Sequence, residues 1–355
     1  MWERIRGVVH CGAAAGLIVF MLRGAAVGQV AAPAPPGRLV DVGGWRLHLN
    51  CTGSPSASPA VVFEAGGGDF SLDWALVQKP VSEFAQACSY DRAGAAWSEL
   101  GPRPRTMQQI AYELHAALHN AGVQGPYVLV GHSIGGLFVR TFAALYPADV
   151  AGMVLVDPTT EESVFNTNGK LVRQRDLSQG RAIPPVRQTI APDERRLLLS
   201  ESARLASFLA NQQPAAIESP YDKLPADVQQ LRLWAMAQPA HWTADGGDYW
   251  PEEFQGFHDA KLRDPRPLHD APLAVLVRAA RSGGSAEQMA ADAARLSEKS
   301  TLTELSTNSE LIVVAHSGHH IHLDAPAAVT AAVREVVEAA RAHRPLRARG
   351  TTRTL

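Results

Sequence analysis

Short apolar runs recur along this chain, and amphipathic stretches of helical period fall between them. Ala60 to Glu64, Ala87 to Tyr90, Tyr127 to Val130, Met153 to Val156, Leu273 to Val277 and Leu311 to Val314 are almost continuously apolar. Runs of that length without alternation are suited to strands covered on both faces. Ahead of them, Arg38 to Val42 and Trp45 to Asn50 alternate between apolar and polar, and Gly43-Gly44 joins them as a tight hairpin turn. The helical period is clearest after Thr106, which forms a capping box with Gln109. Ile110, Leu114, Ala117, Leu118 and Ala121 then lie on one stripe, and Gly122 closes the helix. A second helix carries Leu137, Phe138, Phe142 and Leu145, and others cover Ala286 to Lys299 and Ala327 to Ala342. Strands alternating with helices predict an α/β domain whose mostly parallel, eight-stranded sheet is covered by helices on both faces.

Between Thr159 and His269 the strand-type runs disappear. Arg196 to Ala210 and Ala226 to Ala237 read as helices separated by Pro and Gly. This stretch is expected to be a helical insertion over one end of the sheet, leaving 38–158 and 270–342 as the core. No internal repeat is apparent.

Composition narrows the partners. The chain has 355 residues, 46% of them apolar, and a net charge near −2. That is ample for a large core and gives no electrostatic reason to expect nucleic acid. Arg4 and Arg6 precede an apolar run from Val8 to Leu22, and Ala26-Val27-Gly28 offers a small-x-small cleavage site. Residues 1–28 are therefore expected to be a signal peptide or membrane anchor, followed by a Pro/Ala linker to residue 37. On that reading the protein is exported to the periplasm or the outside, and touches a membrane only if the leader is uncleaved. Without Cys11 two cysteines remain, Cys51 and Cys88, an even pair suited to one disulfide or to two buried thiols. The tail from 343 to 355 carries Arg344, Arg347, Arg349 and Arg353 without an acid and reads as a frayed, solvated end.

Chemistry concentrates in Tyr127 to Arg140. The strand turns through Gly131-His132-Ser133-Ile134-Gly135-Gly136 and leaves as a helix, the strand, G-x-S-x-G, helix order of a nucleophile elbow. So tight a turn strains the serine backbone, and glycines on either side leave room where strand and helix meet. The helix N-terminus behind Ser133 points backbone N–H groups at any negative charge that develops there.

Five segments, in order, resemble the α/β-hydrolase superfamily in its branch of capped serine hydrolases: FEAGGG (63–68), SYDRAGAAWS (89–98), GHSIGG (131–136), VLVDP (154–158) and SGHHIHLDAP (317–326). The resemblance covers residues 38 to 342 and is specific to the fold, not to a substrate. It implies the α/β-hydrolase fold with a helical cap, and a triad running Ser, acid, His along the chain. Ser133 is then the nucleophile and His319, of the Gly318-His319 pair, its base. Most such relatives carry the acid after the penultimate strand, where this chain has Arg278-Ala279-Ala280-Arg281-Ser282-Gly283 and no carboxylate before Glu287. Others carry it after the strand that follows the nucleophile helix, where Asp157 stands. Asp157 is taken as the acid, with Glu287 and Glu161 as alternatives. The oxyanion donors implied are the Ile134 and Gly67 N–H groups, although Ala65 departs from the usual His-Gly pair. The strands bearing Cys51 and Cys88 are neighbours in this fold, which makes a bridge between them reasonable. Asp91 and Arg92 are expected to organise the loop beside the site.

The function implied is carboxylic ester hydrolysis through an acyl-enzyme, with a small ester-like molecule as substrate and no cofactor. Amide or carbon–carbon hydrolysis, acyl transfer, or a non-catalytic binding protein of the same fold are the alternatives. Epoxide hydrolysis and dehalogenation in this fold need a carboxylate where Ser133 stands. A metal site at His316, His319, His320 and His322 is the rival reading of the histidines, but their spacing lacks a regular ligand pattern and no acid or cysteine completes the set. His320 and His322 are expected to pack the loop around Asp324. The insertion's aromatics Trp234, Trp242, Tyr249 and Trp250 either line a pocket or pack helices.

Overall fold

The computed structural model describes residues 32–167, 169–209, 216–280, 285–346 and 352–355. The leader expected over 1–28 lies outside the described residues, as do Cys11 and the first part of the linker. The chain runs β1 (Arg38–Asp41), β2 (Arg46–Thr52), β3 (Ala60–Glu64), α1 (Ala75–Val81), β4 (Ala87–Tyr90), α2 (Met107–Asn120), β5 (Tyr127–His132), α3 (Gly135–Leu145) and β6 (Val150–Val156). An insertion follows with β7 (Val164–Thr167), β8 (Lys170–Arg173), α4 (Pro192–Leu209), α5 (Ala226–Met236) and α6 (Trp250–Arg263). The core resumes with β9 (Leu273–Arg278), α7 (Ala286–Ser300), β10 (Ser309–Val314), α8 (Ile321–Asp324), α9 (Pro326–Ala342) and β11 (Thr352–Thr354).

Among the described residues the main sheet has nine strands in the order β1-β2-β4-β3-β5-β6-β9-β10-β11. Only the β1–β2 and β2–β4 pairs are antiparallel; the remaining pairs are parallel. The continuous apolar runs explain why both faces are covered, because successive side chains leave a strand on opposite sides. Phe63, Val128, Val130, Val154, Val156, Leu276 and Ile312 pack on the face of α1 and α9, against Val77, Val81, Val329 and Val333. Val62, Leu129, Met153, Leu155, Val275 and Val277 point the other way, against Leu114, Leu118, Val139 and Phe142 of α2 and α3. Burying each such side chain contributes about 1.5–3 kcal/mol relative to leaving it in water.

Two elements differ from the sequence expectation. The insertion contains an antiparallel hairpin, β7 with β8, which four-residue strands of mixed polarity did not announce. The basic tail adds a ninth strand where eight were expected, because Thr352 to Thr354 pair in parallel with Leu311 to Val313. Arg353 anchors it, reaching Glu310 at 3.2 Å and Glu335 at 3.0 Å. Cys51 and Cys88 sit opposite each other on β2 and β4 and form a disulfide.

The topology also sets where chemistry can happen. The chain passes from β3 to β4 on one side and then returns to β5 on the other. The carboxyl ends of β3 and β5, paired at Glu64 and Gly131, therefore flank the point where strand order reverses. Loops leaving that edge diverge and open a crevice, the usual ligand position in open α/β sheets.

Candidate active site

At the end of β5 the backbone of Ser133 is forced to φ +52°, a left-handed conformation that costs a non-glycine residue of order 1–3 kcal/mol. Its neighbours hold it there: Ser133 N–H donates to Val156 O at 3.1 Å, and its carbonyl accepts from Gly136 N at 3.0 Å and Thr159 N at 2.8 Å. The flanking glycines are dictated by contact. A Cβ on Gly131 would lie 2.7 Å from Gly135 O, and one on Gly135 would lie 2.6 Å from Ala65 O and 2.8 Å from Glu64 O.

The structure brings Ser133, His319 and Asp157 together from three separate strand ends. His319 Nε2 lies 2.9 Å from Ser133 Oγ, and His319 Nδ1 lies 2.6 Å from Asp157 Oδ2. Asp157 follows β6, is buried, has φ +38°, and donates its N–H to Leu276 O at 2.8 Å. His319 lies in the loop after β10 with its side chain 38% exposed. The alternative acids are elsewhere. Glu161 is buried against Arg140 at 2.8 Å, and Glu287 is exposed in the first turn of α7.

Three cations surround Asp157. Lys299 Nζ is 2.8 Å from Oδ1 and also donates to the Asp157 backbone carbonyl at 3.0 Å. Arg278 and Arg295 approach to 3.7 and 3.6 Å. Burial by itself would raise the Asp157 carboxyl, but the bond to His319 and the charge of Lys299 outweigh it and hold it well below the ordinary carboxylate range. Burial pushes the His319 imidazole down, Asp157 opposes this, and the charges of His132 and Lys299 add to it.

Gly67 and Ile134 also converge. A Cβ placed on Gly67 would meet Ile134 Cγ2 at 3.5 Å. Among the described residues neither N–H has a hydrogen-bond acceptor. The loop bearing Gly67 is held by the buried Arg92 guanidinium, which donates to Glu64 Oε1 and Gly66 O at 2.6 Å and to Ala65 O at 2.9 Å. Asp91 accepts from Ser71 N at 2.8 Å and lies 2.8 Å from His48 Nδ1. Both residues thus organise the loop beside the site.

His320 Nε2 lies 2.8 Å from the Tyr221 hydroxyl, and His322 packs tilted against Trp74 at 4.6 Å between ring centres. The described residues whose ligand atoms could hold a metal ion are Asp69, His132 and His322, all buried. That set shares one histidine with the four weighed above. Asp69 is already engaged, since it accepts from Tyr221 Oη at 2.6 Å and pairs with Arg232 at 3.3 Å. His132 Nε2 donates to the His319 backbone carbonyl at 3.1 Å and braces the loop of the imidazole. Of the aromatics, Trp234 packs tilted against Trp97 and Trp250 packs near Phe165 and Phe254, whereas Trp242 is half-exposed beside Gly68.

Several residues escaped the sequence reading. Lys299, Arg278 and Arg295 carry no motif, although a penultimate strand ending in arginine instead of an acid was a trace of them. Asp245 and His241 come from the insertion and leave no local signal at all. His132 was legible only as a histidine beside the serine.

The chain matches the model of the Alpha/beta hydrolase family over residues 61–333. It is 25% identical over 316 residues to an AB hydrolase superfamily protein of Gibberella zeae, covering 83% of this chain and 92% of that one. A solved thermophilic esterase from Thermogutta terrifontis shares the fold at 20% identity and TM-score 0.53, over 86% of this chain and 99% of that one. An uncharacterized vacuolar membrane protein of Saccharomyces cerevisiae is 31% identical over 153 residues, 39% of this chain and 23% of its own. The chain spans roughly a fifth to a third of the length of the first curated relatives that it matches. The yeast relative corrects the expectation of export, since that protein, similar to this chain over 153 residues, is a vacuolar membrane protein. Basic residues ahead of an apolar run do not specify a compartment, so the composition of residues 1–28 could not carry that reading. No helix among the described residues is long and apolar enough to cross a membrane. From the match that spans most of its length, the chain belongs to the Alpha/beta hydrolase family.

Proposed function

We propose that this protein is a serine hydrolase that cleaves carboxylic esters of small molecules through an acyl-enzyme. The observation that carries the reading is the relay from Ser133 Oγ to His319 Nε2 at 2.9 Å and from His319 Nδ1 to Asp157 Oδ2 at 2.6 Å. A serine hydroxyl is a weak nucleophile until a neutral imidazole takes its proton as it attacks. Asp157 fixes the tautomer that presents the Nε2 lone pair to Ser133 and stabilises the imidazolium that forms. The tetrahedral oxyanion is received by the Gly67 and Ile134 N–H groups, with the α3 N-terminus behind them. His319 then returns its proton to the leaving alcohol. A water deprotonated by the same imidazole hydrolyses the acyl-enzyme and regenerates Ser133. Residues 159–269 act as the cap, because Asp245, Arg232 and Tyr221 reach from that insertion onto the loops of the site.

The test compares wild type with Ser133→Ala on p-nitrophenyl esters of increasing chain length, together with labelling by a fluorophosphonate. The expected result is labelling at Ser133 and a loss of kcat of about four to six orders of magnitude in the variant. Turnover that persists in Ser133→Ala, or no labelling of wild type, would refute the assignment.

A further inference from the structure

The peptide unit between Gly66 and Gly67 has its two ends in different surroundings. On one side a Cβ placed on Gly67 would meet Ile134 Cγ2 at 3.5 Å, and on the other the Gly66 carbonyl oxygen accepts from Arg92 Nη2 at 2.6 Å. A peptide is planar, so fixing the carbonyl direction fixes the N–H direction. A cation on the carbonyl oxygen also polarises the amide and strengthens its N–H as a donor. Arg92 is itself held from the insertion. Asp245 Oδ1 accepts from Arg92 Nε at 2.9 Å and Nη2 at 2.6 Å, and Asp245 Oδ2 accepts from Gly68 N–H at 2.7 Å. The other backbone group of Gly68, its carbonyl, accepts from His241 Nε2 at 3.0 Å. Gly68 sits at φ +73°, a left-handed conformation that these two bonds hold from outside the loop. Ala96 N–H approaches His241 Nδ1 at 3.4 Å, which fits the tautomer carrying its proton on Nε2, and burial favours the neutral ring.

We propose that Asp245 and His241 are positioning residues of the insertion that clamp the Gly66–Gly68 loop, so that the oxyanion donor at Gly67 is aimed only while the insertion is seated on the core. This inference rests on the ester-hydrolase reading of Ser133 and extends it. The clamp works through two routes, one along the carboxylate of Asp245 to Arg92 and Gly66, the other directly onto both backbone groups of Gly68. Neither Asp245 nor His241 needs to touch substrate. The consequence is that docking of the insertion and completion of the oxyanion hole are one event, so that a substrate admitted beneath the insertion meets an aimed donor once the insertion closes.

The test uses the full chain and the variants Asp245→Ala and Asp245→Asn, the second retaining the shape of the side chain in case the first folds poorly. Hydrogen–deuterium exchange of the segment from Glu64 to Phe70 is expected to speed up at least tenfold in Asp245→Ala and less in Asp245→Asn, with β5 and α3 unchanged. On a p-nitrophenyl ester, kcat is expected to fall about ten- to a hundredfold, since loss of one whole oxyanion donor costs about a hundred- to a thousandfold. KM should stay within about threefold, inhibition by phenylboronic acid should weaken in step with kcat, and the acid limb of the pH profile should not move. Unchanged exchange in a variant that melts like wild type would overturn the clamp, whatever the activity. A fall in activity that appears in KM alone, or as a displaced acid limb, would overturn it as well. If wild type showed no turnover dependent on Ser133, the ester-hydrolase reading would fall, and the exchange experiment would still decide the clamp.

Discussion

Replacing Lys299 by Met tests how the site sets the basicity of its imidazole. Lys299 Nζ is 2.8 Å from one oxygen of Asp157, and His319 Nδ1 is 2.6 Å from the other. The carboxylate therefore stands between the Lys299 ammonium, which it helps to keep charged against burial, and the cation that forms during catalysis. Two unit charges about 7 Å apart at an effective dielectric of about 20 repel by about 2.4 kcal/mol, or roughly 1.7 pH units. Arg278 and Arg295 remain near the same carboxylate and take up part of the loss, leaving an expected shift of about one unit. The other groups facing His319, the rings of His132 and His320, are untouched by the substitution. The direction follows from which protonation state works. His319 must be neutral to accept the Ser133 proton, so kcat/KM rises as pH climbs through its pKa. Burial first, then His132 and Lys299, depress that pKa. Removing Lys299 raises it and moves the acid limb to higher pH. The assay is kcat/KM against pH over roughly pH 5 to 9 for wild type, Lys299→Met and Lys299→Arg, with the melting temperature of each. Lys299→Arg should restore the wild-type limb. A limb in Lys299→Met that stays within about 0.3 units of wild type, in a protein that remains folded, would refute the electrostatic account and leave Lys299 a packing residue.

Three further outcomes follow from the geometry. Gly135→Ala would drive a methyl group against Ala65 O and Glu64 O, and is expected to destabilise by at least the roughly 1–3 kcal/mol of an overpacked site; urea unfolding measures it, and a midpoint equal to wild type would contradict the close approach. Reducing the Cys51–Cys88 bridge, or replacing both residues by Ala, frees a closed loop of sequence separation 37 in the unfolded chain and is expected to cost about 4 kcal/mol. Urea unfolding with and without dithiothreitol checks this, and a loss below about 1 kcal/mol would mean that the unfolded chain is not constrained by the bridge. Glu253, whose Oε1 accepts from Met107 N at 2.5 Å, is pushed up to about 7, chiefly by burial. A raised carboxyl pKa means that the folded state loses stability as pH rises past the unfolded value near 4.3 and on through the folded value near 7, so Glu253→Gln should match wild type near pH 4 and exceed it by up to about 3 kcal/mol at pH 8. Equal melting temperatures at pH 8 would contradict it.

The apolar runs that became β3 to β6, β9 and β10 were legible because strands covered on both faces need no alternation, and the stripe from Ile110 to Leu118 because α2 buries a single face. Ser133 was legible for a local reason too: Gly131 and Gly135 stand within two residues of it and answer to steric contacts in the turn itself. What stayed hidden depends on contacts between distant parts of the chain. The hairpin of β7 and β8 is held by its own pairing and carries an exposed Leu171 and Lys170, so no apolar period marked it. The ninth strand was masked by arginines of a kind usual in solvent, yet Arg353 pairs with Glu310 of β10 and Glu335 of α9. Asp245 lies 153 residues from Arg92, and no reading of either neighbourhood joins them.

The proposed role of Asp157 as the acid is matched by the charge at Arg278. In the relatives that carry their acid after the penultimate strand, a carboxylate occupies the region that here begins with Arg278, at the end of β9. In this chain Asp157 leaves the neighbouring strand β6 and reaches the same imidazole. An ionised Asp157 in a buried position needs compensation, and it is supplied from β9 by Arg278 and from α7 by Arg295 and Lys299. The two positions therefore exclude each other as acids. A carboxylate at 278 would stand within a few ångströms of Asp157, and two like charges so close raise one pKa until a proton is shared, as in paired carboxylate sites. Protonated, Asp157 would favour the neutral imidazole over the imidazolium and would withdraw the stabilisation that proton transfer from Ser133 requires. On the proposed role of Asp157, Arg278 is its electrostatic complement, 3.7 Å from its carboxylate at the end of the strand where an acid was expected.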